Sequence, residues 1–114
     1  MRRPASLRAA PGARIGEHVP FDARNVAEAP AAPGVYLLYR GHRLIYIGVA
    51  AAGATICDRL LHHLRGDGGR CTRSASEFDY EVSADPIALY RHYVDVYLAA
   101  TAGLLPDCNE DAER

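Results

Sequence analysis

The stretch Gly34-Val35-Tyr36-Leu37-Leu38-Tyr39-Arg40-Gly41-His42-Arg43-Leu44-Ile45-Tyr46-Ile47-Gly48 decides the fold. Val, Leu, Ile and Tyr dominate two runs, 35–40 and 44–49, and these residue types suit a pleated, half-buried surface. Arg40-Gly41-His42-Arg43 lies between them as a turn, so the runs are expected to pair as an antiparallel hairpin. Tyr36 stands near the first glycine and Tyr46 near the last. Side chains alternate across a strand, so loop length decides whether the two phenols share a face. Their positions have the same parity, so they share a face only if paired residues sum to an even number. That predicts a loop with an odd number of residues, such as three including Gly41. A two-residue turn would place the phenols on opposite faces.

Downstream of the hairpin, Ala51-Ala52-Gly53-Ala54 is a small-residue loop. Thr55-Ile56-Cys57-Asp58 then resembles a capping box, with Thr55 as N-cap. The helix that follows, TICDRLLHHLR, is expected to stop near Gly66. At about 100° per residue, Ile56, Cys57, Leu60, Leu61 and Leu64 fall on one arc. Arg59 and His63, four apart, stack along one edge of it. Phe78-Asp79-Tyr80-Glu81-Val82 alternates apolar and acidic residues, which reads as a third strand. Asp85-Pro86 begins a second helix, with Asp85 as cap and Pro86 at the first helical position. It is expected to run to about Thr101, with Gly103 closing it. Its apolar arc includes Tyr90, Tyr93 and Tyr97, read as packing residues. Its polar side carries Arg91, His92 and Asp95.

Upstream, residues 15–33 read mostly as loop, with Val19 and Phe21 as anchors and a short helical turn between Asp22 and Ala29. Residues 1–14 read as a disordered basic arm, 15–109 as a single domain and 110–114 as an acidic tail. The order strand, strand, helix, strand, helix predicts an α/β fold, a small central antiparallel sheet of three strands flanked by helices.

Composition narrows the function classes. A hydrophobic share of 49% with 24% charged residues is that of a folded domain rather than a disordered chain. No apolar run approaches the roughly 18 residues of a membrane span, and the basic start lacks the apolar core of a secretory signal. Three cysteines, Cys57, Cys71 and Cys108, without close-paired spacing argue against a disulfide framework and for a reducing, cytoplasmic setting. The net charge of −1 does not by itself advertise a nucleic-acid partner.

The ordered set Gly34-Val35-Tyr36, Tyr46-Ile47-Gly48, Arg59 with His63, and Pro106-Asp107-Cys108-Asn109 resembles the GIY-YIG nuclease superfamily. The likeness spans residues 33–109. It implies a small antiparallel sheet with flanking helices, and an endonuclease that hydrolyses phosphodiester bonds in DNA with one divalent ion, Mg²⁺ or Mn²⁺. Catalytic roles would fall on Tyr46 (general base, or orienting the attacking water), Tyr36 (beside that water or the phosphate), Arg59 (clamp on the scissile phosphate) and His63 (support or proton transfer). Asn109 would close the far wall, and Gly34 and Gly48 would let substrate and backbone approach closely. A guanidinium suits the clamp because it stays charged and presents a fork of donors.

The family places a metal-binding glutamate on its last helix, and IALYRHYVDVYLAAT contains none. Asp95 is the best-placed carboxylate for that role and His92 is the alternative, better suited to Mn²⁺ than to Mg²⁺. A salt bridge from Asp95 to Arg91 competes with metal binding. Alternative readings are a GIY-YIG-like module that binds nucleic acid without cutting, and a structural or partner-binding domain. Specificity would come from the N-terminal arm, the loops at 51–54 and 66–76, a homodimer or a larger partner.

Overall fold

A computed structural model describes residues 18–112. The hairpin is present as β2 (Gly34–Arg40) and β3 (Arg43–Ala50). The expected third strand is β4 (Glu77–Val82), antiparallel to β2. A fourth strand, β1 (Val19–Pro20), pairs with the outer side of β4, so the sheet order is β1-β4-β2-β3. Three strands were expected. A two-residue strand is too short to show the period-2 pattern that reveals a strand in sequence. Val19 is nonetheless an anchor, packed against the core beside Phe78.

The hairpin corrects the loop-length expectation in an informative way. Arg40 pairs with Arg43, leaving a two-residue turn of Gly41 and His42. Gly41 has φ +64°, a conformation that glycine adopts without a Cβ penalty. Yet Tyr36 pairs with Gly48 and Leu38 with Tyr46, both even sums, while Tyr39 pairs with Leu44, an odd one. The register shifts by one residue between Leu38 and Tyr39, so Ile45 is the extra residue of a β-bulge. Consecutive residues Ile45 and Tyr46 therefore both lie on the face that carries Tyr36. The bulge, not the turn, brings the phenols to one face.

The sheet separates two apolar clusters. On one side Tyr36, Leu38, Ile45 and Phe78 pack with Val26 of α1 (Ala23–Ala27) and with Ile56 and Leu60 of α2 (Ile56–Leu64). On the other side Val35, Leu37, Tyr39 and Ile47 pack with Tyr93 of α4 (Pro86–Ala100). Each fully buried Ile or Leu contributes about 1.5–3 kcal/mol. The caps stand as the sequence indicates. Thr55 Oγ1 accepts from the Asp58 amide at 3.1 Å, and Asp85 Oδ1 from the Ala88 amide at 3.3 Å. Asp22 caps α1 by accepting from the Asn25 amide at 2.9 Å.

Two short helices were not foreseen, α3 (Arg70–Arg73) and α5 (Asp107–Ala112). Single turns carry too little periodicity to be seen in sequence. They also overturn the cysteine reading. Cys71 of α3 and Cys108 of α5 form a disulfide, with Cα atoms 5.5 Å apart, and Cys57 remains a free thiol. Pairing of residues 37 apart in sequence depends on tertiary folding and leaves no local signature. The argument for a reducing compartment lapses with it. No described helix is long and apolar enough to cross a membrane. The arm at 1–14 lies outside the described residues.

Closing a loop of this length restricts the unfolded chain, worth about 2–4 kcal/mol. Reduction with dithiothreitol is expected to lower the unfolding free energy from urea titration by that amount. The Cys108→Ser variant should start at the lowered value and show no further response to the reductant.

Candidate functional site

The bulge and α2 bring four expected residues together. The Tyr36 and Tyr46 ring centroids lie 6.1 Å apart, and the His63 ring sits 5.5 Å from the first and 5.1 Å from the second. Arg59, one helical turn before His63, lies close enough to the Tyr36 oxygen to favour its charged form. Tyr36 and His63 are buried, while Tyr46 and Arg59 are partly exposed. A ligand arriving from solvent thus meets Tyr46 and Arg59 first.

Burial, with Tyr46 nearby, pushes the Tyr36 phenol well above its ordinary range, against the opposing pull of Arg59. Tyr36 is therefore a protonated phenol. Its oxygen lies 2.8 Å from His63 Nε2, and His63 Nδ1 lies 2.8 Å from Thr72 Oγ1. Burial lowers the His63 pKa to about 4, with Arg59 and then His62 adding to the effect. A neutral imidazole has one donor and one acceptor. One ring nitrogen donates and the other accepts, so the imidazole bridges the Tyr36 phenol and the Thr72 hydroxyl, each of which can take either role. Tyr36, His63 and Thr72 form a fixed, uncharged support beneath Arg59.

Glycines make this packing possible. A Cβ on Gly48 would collide with the Tyr36 ring and stand 2.5 Å from its hydroxyl. A Cβ on Gly34 would strike the Glu81 carbonyl and lie 2.8 Å from Ile56 Cδ1. Both glycines are thus demanded by the protein's own close approaches. Gly68 and Thr72 are functional neighbours that sequence reading missed. A Cβ on Gly68 would lie 2.5 Å from His63 Nδ1. Gly68 reads in sequence as a helix stop and Thr72 as loop, because their link to His63 is tertiary.

Asn109 does not line the cleft. It is buried, its Oδ1 accepts from the Ile47 amide at 2.8 Å, and its Nδ2 donates to the Ile47 carbonyl at 2.9 Å. β3 is the sheet edge, and this side chain satisfies it as a neighbouring strand would. Asn109 fixes the strand segment next to Tyr46. The same end of α5 is tied to the hairpin turn, where Arg43 donates twice to the Asp107 carboxylate at 3.1 Å and holds its pKa down.

Asp95 and His92 are not brought to this cluster. α4 packs on the opposite face of the sheet through Tyr93 and its neighbours, and both residues are exposed. Asp95 lies about 200° round the helix from buried Tyr93, so it points away from the sheet altogether. Its expected salt bridge to Arg91 is not among the ion pairs of the described residues. Among the described residues, the charged groups acting on Tyr36 and His63 include no carboxylate. Among the described residues, no three His, Cys, Asp or Glu side chains gather as metal ligands. The donor set around Arg59 does not fit a Mg²⁺ or Mn²⁺ site.

The chain matches no family model, no curated protein and no solved structure.

His63 makes stability depend on pH. Between its ordinary value of 6.5 and about 4, the unfolded chain takes up a proton that the folded one excludes. Stability is therefore full above pH 6.5 and falls as pH drops, by about 3 kcal/mol once both states are protonated. Urea titrations between pH 7 and 4 should show this slope, and His63→Gln should flatten it. Gly48→Ala should cost at least about 2 kcal/mol at pH 7, because Tyr36 is forced out of its packing. A circular-dichroism melt checks that value.

Proposed function

We propose that this chain is a nucleic-acid-binding module that seats a DNA backbone phosphate on Arg59 and Tyr46. One observation carries the reading. Arg59 is a partly exposed guanidinium that makes no carboxylate pair among the described residues and lies beside the uncharged Tyr36 phenol. A guanidinium fork and a phenol hydroxyl are both donors to a phosphodiester oxygen. The likeness to GIY-YIG nucleases supports the same substrate class, since Tyr36, Tyr46, Arg59 and His63 are the residues that likeness selects.

Further cationic surface adjoins α2. Arg70 and Arg73 border a hollow of about 410 Å³ with Leu64 and Phe21. Neither arginine is in an ion pair among the described residues. A DNA strand seated on Arg59 can extend along these residues, which lie in the 66–76 segment assigned to specificity. Binding of this kind is carried by phosphate contacts and weakens with salt.

Metal-dependent hydrolysis is the second reading. The convergence of Tyr36, Tyr46, Arg59 and His63 in one cleft favours it, whereas the absence of a carboxylate among the described residues facing that cleft weighs against it. No step is assigned to a metal ion.

The two readings separate in one series with labelled duplex, nicked and branched DNA. In EDTA, the full chain is expected to bind with an affinity that falls as salt rises. Arg59→Ala should weaken binding about tenfold, and Tyr46→Phe should weaken it less. Binding insensitive to salt, or unchanged in Arg59→Ala, contradicts the phosphate seat. Adding Mg²⁺ or Mn²⁺ should leave the DNA intact. Cutting that vanishes in Arg59→Ala would promote the second reading.

A further inference from the structure

The single turn α3 joins three separate features of the cleft. Arg70 and Arg73 are exposed and border the hollow beside α2. Thr72 is buried, with its hydroxyl 2.8 Å from His63 Nδ1. Cys71 is half-buried and cross-linked to Cys108 of α5, which is 1% exposed. The turn has little to hold it by itself. Four residues are too few for a stable isolated helix, and Gly69 at its start offers no side-chain cap. The amides of Arg73 and Ser74 bond to carbonyls of residues 69–71, within the same segment. Among the described residues, three side-chain bonds fasten 70–74 to the rest of the fold. They are the disulfide, the Thr72–His63 hydrogen bond, and an exposed bond from Arg40 Nη1 to Ser74 Oγ at 2.8 Å.

The other end of the disulfide is fixed without it. Asn109 pairs with both backbone groups of Ile47, and Asp107 accepts twice from Arg43. Opening the disulfide therefore loosens α3 and leaves α5 in place. A short, largely exposed segment with few buried contacts is the kind that opens locally while the rest of a fold stays closed.

We propose that the Cys71–Cys108 disulfide is a redox switch on DNA binding. Closed, it holds Arg70 and Arg73 along the path of a strand seated on Arg59; open, it frees α3 and lowers affinity. The inference rests on the phosphate-seat reading and names how that seat is regulated. The step is thiol–disulfide exchange with a dithiol reductant. A thiolate of the reductant attacks the sulfur of Cys71, the less buried partner. The S–S bond breaks, and Cys108 leaves as a thiolate that takes a proton from solvent. The second thiolate of the reductant then attacks the mixed disulfide and releases Cys71. Two electrons and two protons pass to the protein, and the reductant ends as its own disulfide.

The full chain is titrated with a labelled DNA duplex when oxidised, after reduction with dithiothreitol, and again after reoxidation with glutathione disulfide. Reduction is expected to weaken binding about tenfold, the scale of losing charged hydrogen bonds to phosphate, and reoxidation to restore it. Cys71→Ser should bind as the reduced chain does under all three conditions. The Arg70→Ala/Arg73→Ala double variant keeps the disulfide and should bind weakly whether oxidised or reduced. The proposal is overturned if oxidised and reduced wild type bind equally, or if the double variant keeps the full redox effect. Unfolding of the whole chain on reduction, seen by circular dichroism, also overturns it. Amide hydrogen exchange without DNA separates this switch from the seat. The Arg73 and Ser74 amides should exchange about tenfold faster after reduction, while the Ile47 amide stays protected. A chain whose exchange responds but which binds no DNA in either state fails on the seat. One that binds DNA but whose exchange does not respond fails on the switch. If Cys71→Ser does not fold, the wild-type comparison and the double variant decide the matter.

Discussion

One extra residue in β3, Ile45, sets the geometry on which the cleft depends. The two-residue turn at Gly41-His42 gives odd-sum pairing next to it, Tyr39 with Leu44. Continued along the strand, that register would send Tyr46 to the α4 face. The bulge changes the sum to even, and Tyr46 then lies beside Tyr36. Ile45 stays on the same face as Tyr46 and is fully buried, so hydrophobic burial holds the irregular register in place.

The next residues of β3 are held from outside the sheet. Asn109 grips both backbone groups of Ile47, and Gly48 admits the Tyr36 ring. On the far side of the cluster, Thr72 grips His63. Thr72 follows Cys71 and Asn109 follows Cys108, and these cysteines are bonded to each other. One cross-link therefore joins the segment that orients the imidazole to the segment that orients the strand. Tyr36 and His63 stay uncharged between them, with the Arg59 guanidinium beside them. The chemistry this favours is recognition of an anion.

Much of this was legible because it is local. Caps at Thr55 and Asp85, the apolar arc of α2 and the runs of the hairpin are each written within a few adjacent residues. The four-residue helical step put Arg59 beside His63, and the resemblance to GIY-YIG nucleases implied their grouping with Tyr36 and Tyr46. What escaped is non-local or short. The bulge reflects burial competing with turn geometry, and a bulge has no composition of its own. β1, α3 and α5 are too short to carry a period. The disulfide and the Asn109 grip join residues 37 and 62 apart in sequence. Asp95 illustrates the converse. It has suitable chemistry at a plausible distance along the chain, but packing of Tyr93 against the sheet turns it to solvent.

The phosphate seat is tested most directly by NMR titration of the full chain with a short DNA duplex, following the arginine Nε–Hε and backbone amide signals. Arg59 Nε–Hε and the amides of Tyr46 and Ile47 should shift together and saturate with one affinity, while the α4 amides around His92 and Asp95 stay still. Shifts confined to α4, or a saturating titration that leaves Arg59 unmoved, would contradict the assignment.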